Sequence, residues 1–380
     1  MKQLSFDLEL TTEAVFEKLR QSGNPLQEWG RAVDGSPMLA ARTGGSKGPA
    51  IFITAGSHCT ETAGVHSALN LLEMLETEHE VHVLPLRDPF GFAGVNHCLS
   101  FAARQSIQVN SHLQALEILQ RQARLLWSEG ELCLFLLGEI GFLWHSLRLP
   151  SESRFIAMHS RMLKLATEEP GVFEPLRGKR VMLLNAMPDV EGTGEIGRCW
   201  HAAVSATGEW LHLNRFFGRA DAPGEVAAVD QILQSLRPGL TLDLHEGNGS
   251  GFWMPVERNE KYQELLFEMT HAFFNYIEAK GYPVTDYENW AATDETLGKN
   301  YTPDWLVPEP RLRGMFWVKG QLRGEGYNLM DYAARWGIGY GTESPMERPL
   351  AMRIEVITYG ILEAIRVWEK ANRFVQAREE

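Results

Sequence analysis

Ala55-Gly56-Ser57-His58-Cys59-Thr60-Glu61-Thr62-Ala63-Gly64 joins an apolar run, Ile51-Phe52-Ile53-Thr54, to an amphipathic one with Val65, Leu69, Leu72 and Leu75 at helical spacing. The pattern predicts a strand, a tight turn and the start of a helix at about 62–76. His58 and Glu61 stand in the turn. Such a turn can aim an imidazole nitrogen and a carboxylate oxygen at one point, as a zinc ion requires. Alone, the H-x-x-E spacing is a weak signal, so its meaning depends on the rest of the chain.

Outward from the turn, strands and helices alternate. Upstream, a short helix over 11–20 is capped by Thr11 or Thr12, and Asp34-Gly35 sits between two extended pieces as a hairpin signal. Downstream, Val81–Leu86 reads as a strand, and His79-Glu80-Val81-His82 at its start reads as a solvated edge. Arg180–Leu184 and Leu240–His245 are further strands, with Thr241, Asp243 and His245 sharing one face. Ile338–Thr342 is another, running into Glu343. Helices are expected over 225–236, 259–279 and 349–375. Between about 105 and 175 the alternation stops, and that stretch reads as a helical insertion. Leu132–Leu149 within it, broken by Glu139, His145 and Arg148, reads as a buried helix or helix pair, too short in its apolar part for a membrane span of roughly 20 residues. Alternation of this kind predicts an α/β protein in three α/β/α layers with a mixed, mostly parallel central sheet, over 1–380 as one domain. His58, His245 and Glu343 then fall at strand ends, where sites gather in such folds.

The net charge of −13 argues against nucleic acid or an anionic membrane as the main partner. Cys59, Cys98, Cys133 and Cys199 have no C-x-x-C spacing, which suits free thiols in a reducing cytoplasm. The N-terminus has no apolar signal core, so a cytoplasmic protein is expected. Cys59 reads as a small buried neighbour of the turn. A Walker loop, a G-x-S-x-G elbow and a dinucleotide fingerprint are all missing from the sequence.

In order along the chain, GSHCTETAG, LHLNRFFG, LDLHEG and GYGTESP resemble the zinc carboxypeptidase family typified by carboxypeptidase A. They are also similar to the related succinylglutamate desuccinylase/aspartoacylase group. The upstream GRAVDGSPMLAARTGG resembles the segment before the metal turn of the carboxypeptidases. The likeness covers roughly 30–100 and 180–370.

The resemblance implies one zinc per chain held by His58, Glu61 and His245, and hydrolysis of an amide bond beside a free carboxylate. It implies that zinc activates a water and that Glu343 is the general base. Asn214 and Arg215 match the pair that holds the substrate carboxylate, for which arginine's planar fork is suited. Arg198 is the first candidate for the oxyanion stabiliser, with Arg104 and His201 as competitors. Tyr327, and after it Tyr332, are candidates for a tyrosine that closes over substrate.

Two positions depart from the family pattern. His212 stands where relatives often have an aspartate that orients a zinc histidine, a task left to Asp243 or to a backbone carbonyl. Phe216 replaces a common asparagine, as in the deacylases. Glu343 within Thr342-Glu343-Ser344-Pro345 and the upstream segment favour the carboxypeptidases again, so the resemblance implies a peptide substrate and a metallocarboxypeptidase-like activity, with deacylation of an N-acyl amino acid as the alternative. A third reading, of another class, is a pseudoenzyme that binds a carboxylate or peptide without hydrolysing it.

Overall fold

The computed structural model describes residues 4, 6–8, 10–146, 151–185, 196–247, 251–285, 306–318 and 326–379. Its strands are β1 (Leu26–Arg31), β2 (Pro37–Gly44), β3 (Ile51–Ala55), β4 (Glu80–Leu84), β5 (Arg124–Glu129), β6 (Leu132–Leu137), β7 (Ile140–His145) and β8 (Arg180–Leu184). They continue with β9 (Trp200–Val204), β10 (Trp210–His212), β11 (Leu240–Gly247), β12 (Met254–Glu257), β13 (Leu306–Pro308), β14 (Met315–Val318) and β15 (Ile338–Pro345).

The central sheet has the order β1-β2-β4-β3-β11-β15. β4, β3, β11 and β15 are parallel, while β1 and β2 add an antiparallel margin. This is the mixed, mostly parallel sheet that the alternation predicted. β3 is buried on both faces, as a continuous apolar run in a covered parallel sheet must be. Ile51 and Ile53 pack on one side with Leu69 and Leu72 of the helix Thr62–Met74, Phe273 of Gln263–Ala279 and Ile357 of Leu350–Glu379. Phe52 faces the other way, against Trp29, Leu84 and Val229 of the helix Gly224–Leu236. Burying a side chain of this size contributes about 1.5–3 kcal/mol.

The helices fall close to the expected positions. Thr12–Gln21 is capped by Thr11, whose hydroxyl accepts from the Ala14 N–H at 3.1 Å. His79-Glu80-Val81-His82 is a correction, because β4 lies between β2 and β3 and the His79 side chain is buried, bonded through Nδ1 to the Pro49 carbonyl at 2.9 Å.

The stretch 105–175 is a second correction. It holds the helices His112–Gln122 and Ser151–Glu168, but between them run β5, β6 and β7. With β8, β9 and β10 these form a second sheet, ordered β10-β9-β8-β7-β6-β5 and antiparallel except at β7-β8. Of the stretch Leu132–Leu149 the described residues, 132–146, are strands and not helix; a short continuous apolar run carries no period, and only its tertiary surroundings choose between the two. Phe135 and Phe142 pack on Leu99 and Leu119 on one face, and Leu134 and Leu143 pack on Met158 and Met162 on the other.

The two sheets meet where Ala203 and Leu211 of β9 and β10 join Phe52 and Leu84 in one apolar cluster. β10 then passes through a single 3-10 turn, Leu213–Arg215, toward the carboxyl ends of the central strands. A third small sheet, β12-β14-β13, lies beside β15, joined by the Trp253 N–H to the Glu343 carbonyl at 3.4 Å. Among the described residues no helix is long and apolar enough to cross a membrane.

Candidate metal centre

β3 ends at Ala55, and the loop 56–61 folds back so that the Glu61 N–H donates to the His58 carbonyl at 3.1 Å. The helix begins at Thr62. Its first turn lies directly on β11: a Cβ placed on Gly64 would stand 2.4 Å from the Leu244 carbonyl oxygen. A side chain here would push the turn off the strand that carries His245. Glu246, on the opposite face of β11, accepts from the Ala63 N–H at 2.6 Å and pairs with the buried Arg353. The helix start is thereby clamped to β11.

This clamp brings three donors together. His58 Nδ1 lies 2.7 Å from Glu61 Oε1, and His245 Nδ1 lies 2.8 Å from Glu61 Oε2. One ligand atom from each residue falls within 4.8 Å of the others, a grouping that can hold a metal ion. His245 Nε2 faces Asp243 Oδ2 at 2.8 Å, so a fully buried carboxylate fixes the ring with Nδ1 toward Glu61. Asp243 is itself held by the Arg87 guanidinium at 3.0 and 3.1 Å and by the Asn214 amide at 3.2 Å.

The electrostatics suit a cation. Burial raises the pKa of Glu61, but His58 and His245 outweigh it and hold the carboxyl at about 2. Burial lowers His245, yet Asp243 and Glu61 on its two nitrogens push it well above the ordinary range. In the metal-free chain a proton on His245 thus balances the buried carboxylates. Two imidazoles and one carboxylate at strand ends are the donor types zinc takes in a catalytic site with three protein ligands.

Among the described residues His58 has no equivalent of Asp243. Its buried Nε2 finds no hydrogen-bond partner among them, and neither does Nδ1 of His212, whose ring centroid lies 5.4 Å away. The ring is positioned by stacking on Trp200 instead, at 4.9 Å and 27°. Asp243 therefore orients His245 and leaves His58 to the stack. His212→Asp is expected to tighten metal binding about 10- to 100-fold, the scale of such outer partners, as read by chelator competition. Unchanged affinity would mean that the stack alone orients His58 fully.

Glu343 reaches the same place from β15. The parallel register pairs His245 with Glu343 across β11 and β15, which sets their side chains next to each other on one face. Burial raises the Glu343 pKa, and Glu61, Asp243 and Glu246 add to this against the pull of His245, to about 8. Gly247 makes room for it, since a Cβ there would stand 2.8 Å from Glu343 Oε2. Gly247→Ala is expected to lower kcat by up to about 10²-fold through misplacement of the carboxylate, with metal content unchanged. Metal analysis beside steady-state kinetics checks this.

His58, Glu61, His245 and Glu343 line one cavity of about 210 Å³, together with Asn214 and Arg215. Asn214 has its amide engaged already, with Nδ2 on Asp243 and Oδ1 accepting from Arg87 and from the Leu329 N–H, both at 3.3 Å. Arg215 is the arginine on the cavity wall among the described residues, with Nη1 donating to the Asn214 carbonyl at 3.0 Å.

The structure does not bring the other predicted residues to this cavity. Arg198 lies over the Phe92 ring at 4.0 Å and donates to the Leu10 carbonyl, so it is no oxyanion donor in this arrangement. Arg104 is exposed at the left-handed end of the helix Val95–Ala103, and His201 is buried against Asp88 and Phe90. The Tyr327 ring packs on Arg335 at 4.5 Å and near Tyr332, while Tyr332 itself donates to Asp230. The residue after Tyr327, Asn328, is the one that reaches the wall. Aromatic packing prevails over the closing role in both tyrosines.

Several wall or supporting residues carry no motif: Arg87, Trp200, Phe155, Glu257 and Asn328. Arg87 alone had a signal, since it follows β4 at the same carboxyl edge as the others. Cys59 is buried as expected, and burial pushes its thiol well above the ordinary range, which leaves it unreactive.

No family model matches the chain, and no curated protein matches it in sequence. Solved structures of similar shape include a metallo-carboxypeptidase from Burkholderia cenocepacia, 11% identical, with a TM-score of 0.48 over 94% of this chain and 69% of that one. A protein of Shewanella denitrificans assigned as a metallopeptidase is 12% identical, with a TM-score of 0.47 over 96% and 98%. Carboxypeptidase A from Helicoverpa armigera is 12% identical, with a TM-score of 0.46 over 97% and 76%. At scores below 0.5 the assignment of the site rests on the residues and distances of this chain.

Proposed function

We propose that the protein is a zinc-dependent hydrolase of an amide bond adjacent to a free carboxylate, in the manner of the metallocarboxypeptidases. One observation carries the reading: the donors of His58, Glu61 and His245 converge within 4.8 Å, and Glu343 and Arg215 face the same cavity. The order of the sequence motifs supports it independently. His58, Glu61 and His245 would hold the zinc ion, which would supply Lewis acidity and lower the pKa of water at the site.

The chain's own residues do the rest. Arg215 takes the substrate carboxylate with its guanidinium fork. Glu343, ionised when a cation sits beside it, accepts a proton from water in the cavity and returns it to the leaving amine. Asp243 and Trp200 hold the two histidine rings in place.

A second reading is deacylation of an N-acyl amino acid at the same site. Phe155 and Trp200, brought by the second sheet and its helix, wall one side of the cavity with aromatic surface. An aromatic wall beside the metal-ligating group suits a small acyl group as well as a peptide side chain. Release of C-terminal residues from peptides and hydrolysis of N-acyl amino acids, each measured with chelator and after zinc is restored, separates the two. Zinc-dependent turnover in one assay is expected, and none in either would contradict both readings.

A further inference from the structure

When water adds to an amide carbon, the carbonyl oxygen becomes negative and needs a donor beside it. Apart from Arg215 and the metal-ligating group, the side chains with N–H groups on the cavity wall among the described residues are Trp200, His212, Asn214 and Asn328. Asn214 commits its amide to Asp243, and Asn328 commits its amide to Glu257 at 2.7 Å. Trp200 lies with its ring face on His58, which turns its in-plane N–H aside. His212 remains.

His212 ends β10, and its ring meets that of His58 edge-on at 5.4 Å between centroids. Neither of its ring nitrogens makes a hydrogen bond among the described residues, and of the two only Nδ1 is closed off. His58 turns Nδ1 toward Glu61, so a cation bound there leaves the His58 proton on the buried Nε2. The neighbouring acceptor for that proton is Nδ1 of His212. A neutral imidazole that accepts on Nδ1 carries its own proton on Nε2, and the charge of Arg215 opposes a second proton on the ring. We propose that His212, held in this tautomer by His58, donates its Nε2–H to the carbonyl oxygen of the scissile amide as that oxygen becomes an oxyanion. It takes the part for which Arg198 lies out of reach. No bond to His212 forms or breaks. This inference rests on the hydrolase reading.

The two ring nitrogens can be tested apart. His212→Asn keeps an acceptor near the Nδ1 position and removes the N–H at Nε2. At metal content equal to the wild type, it is expected to lower kcat about 10²–10³-fold, with KM little changed, on whichever of peptide and N-acyl amino acid the wild type hydrolyses. Calorimetry supplies a readout apart from turnover. A phosphonic acid analogue of that substrate, tetrahedral and anionic, should bind His212→Asn about 10²–10³-fold more weakly than it binds the wild type, while the released amino acid binds both equally. His212→Gln, whose longer amide carries an N–H near the Nε2 position, should recover part of both losses. If His212→Asn does not fold, His212→Asp decides by the same measurements, since it too keeps an acceptor and lacks the donor. Unchanged kcat and phosphonate affinity, or equal losses in His212→Asn and His212→Gln, overturn the oxyanion role and leave the hydrolase reading standing. Absence of zinc-dependent turnover by the wild type on either substrate overturns that reading, and the oxyanion role with it.

Discussion

Glu343→Gln should lower kcat by about 10²–10⁴-fold, the usual contribution of a positioned acid–base group, while the protein keeps its full metal content. The amide preserves shape and removes the proton acceptor, and Glu343 is not among the three converging donors. Steady-state kinetics with metal analysis reads both effects, and loss of metal with loss of activity would reassign Glu343 as a ligand. The same variant has a second signature in the metal-free protein. There the Glu343 carboxyl is held up near 8, above its value of 4.5 in an unfolded chain. The folded state binds the extra proton across that window, so the wild type loses stability as pH rises from about 4.5 to 8. Glu343→Gln removes this slope, so its denaturation midpoint gains on that of the wild type toward pH 8. Parallel midpoints across the window would contradict the environment described for Glu343.

Asp243→Ala should cost about 3–5 kcal/mol of stability, because it leaves the buried Arg87 guanidinium without its counter-charge. It should also weaken zinc binding about 10- to 100-fold, because the His245 ring loses the carboxylate that fixes it. The two effects are separable. Replacing the pair together, Asp243→Leu with Arg87→Met, removes both charges, and such replacements of buried pairs are often neutral in stability. Folding should then return while the metal defect remains. Recovery of metal affinity in the double variant would show that Asp243 serves the fold alone.

These residues mark the division between what sequence could and could not reveal. His58, Glu61, His245 and Glu343 were legible because each stands at the end of a patterned strand and within an ordered motif. Strand alternation placed Asp243 and His245 on one face, and the structure keeps them there at 2.8 Å. Arg87, Glu257 and Asn328 reach the site through tertiary contacts that leave no local period. Arg198 and Tyr327 had suitable side-chain chemistry at suitable sequence positions, but the chain turns both into aromatic packing. The second sheet was hidden for another reason. Its apolar runs at Leu132–Leu137 and Ile140–His145 have no polar alternation, and burial on both faces erases the signal that separates strand from helix.

The Gly56–Glu61 turn and β11 bring three donors to one candidate metal site. Zinc content of the purified protein, set beside that of His58→Ala, tests it most directly. One zinc per chain in the wild type, falling to near none in His58→Ala, is the expected result. Less than one zinc in the wild type, or full retention in His58→Ala, would show that these residues do not form the zinc site.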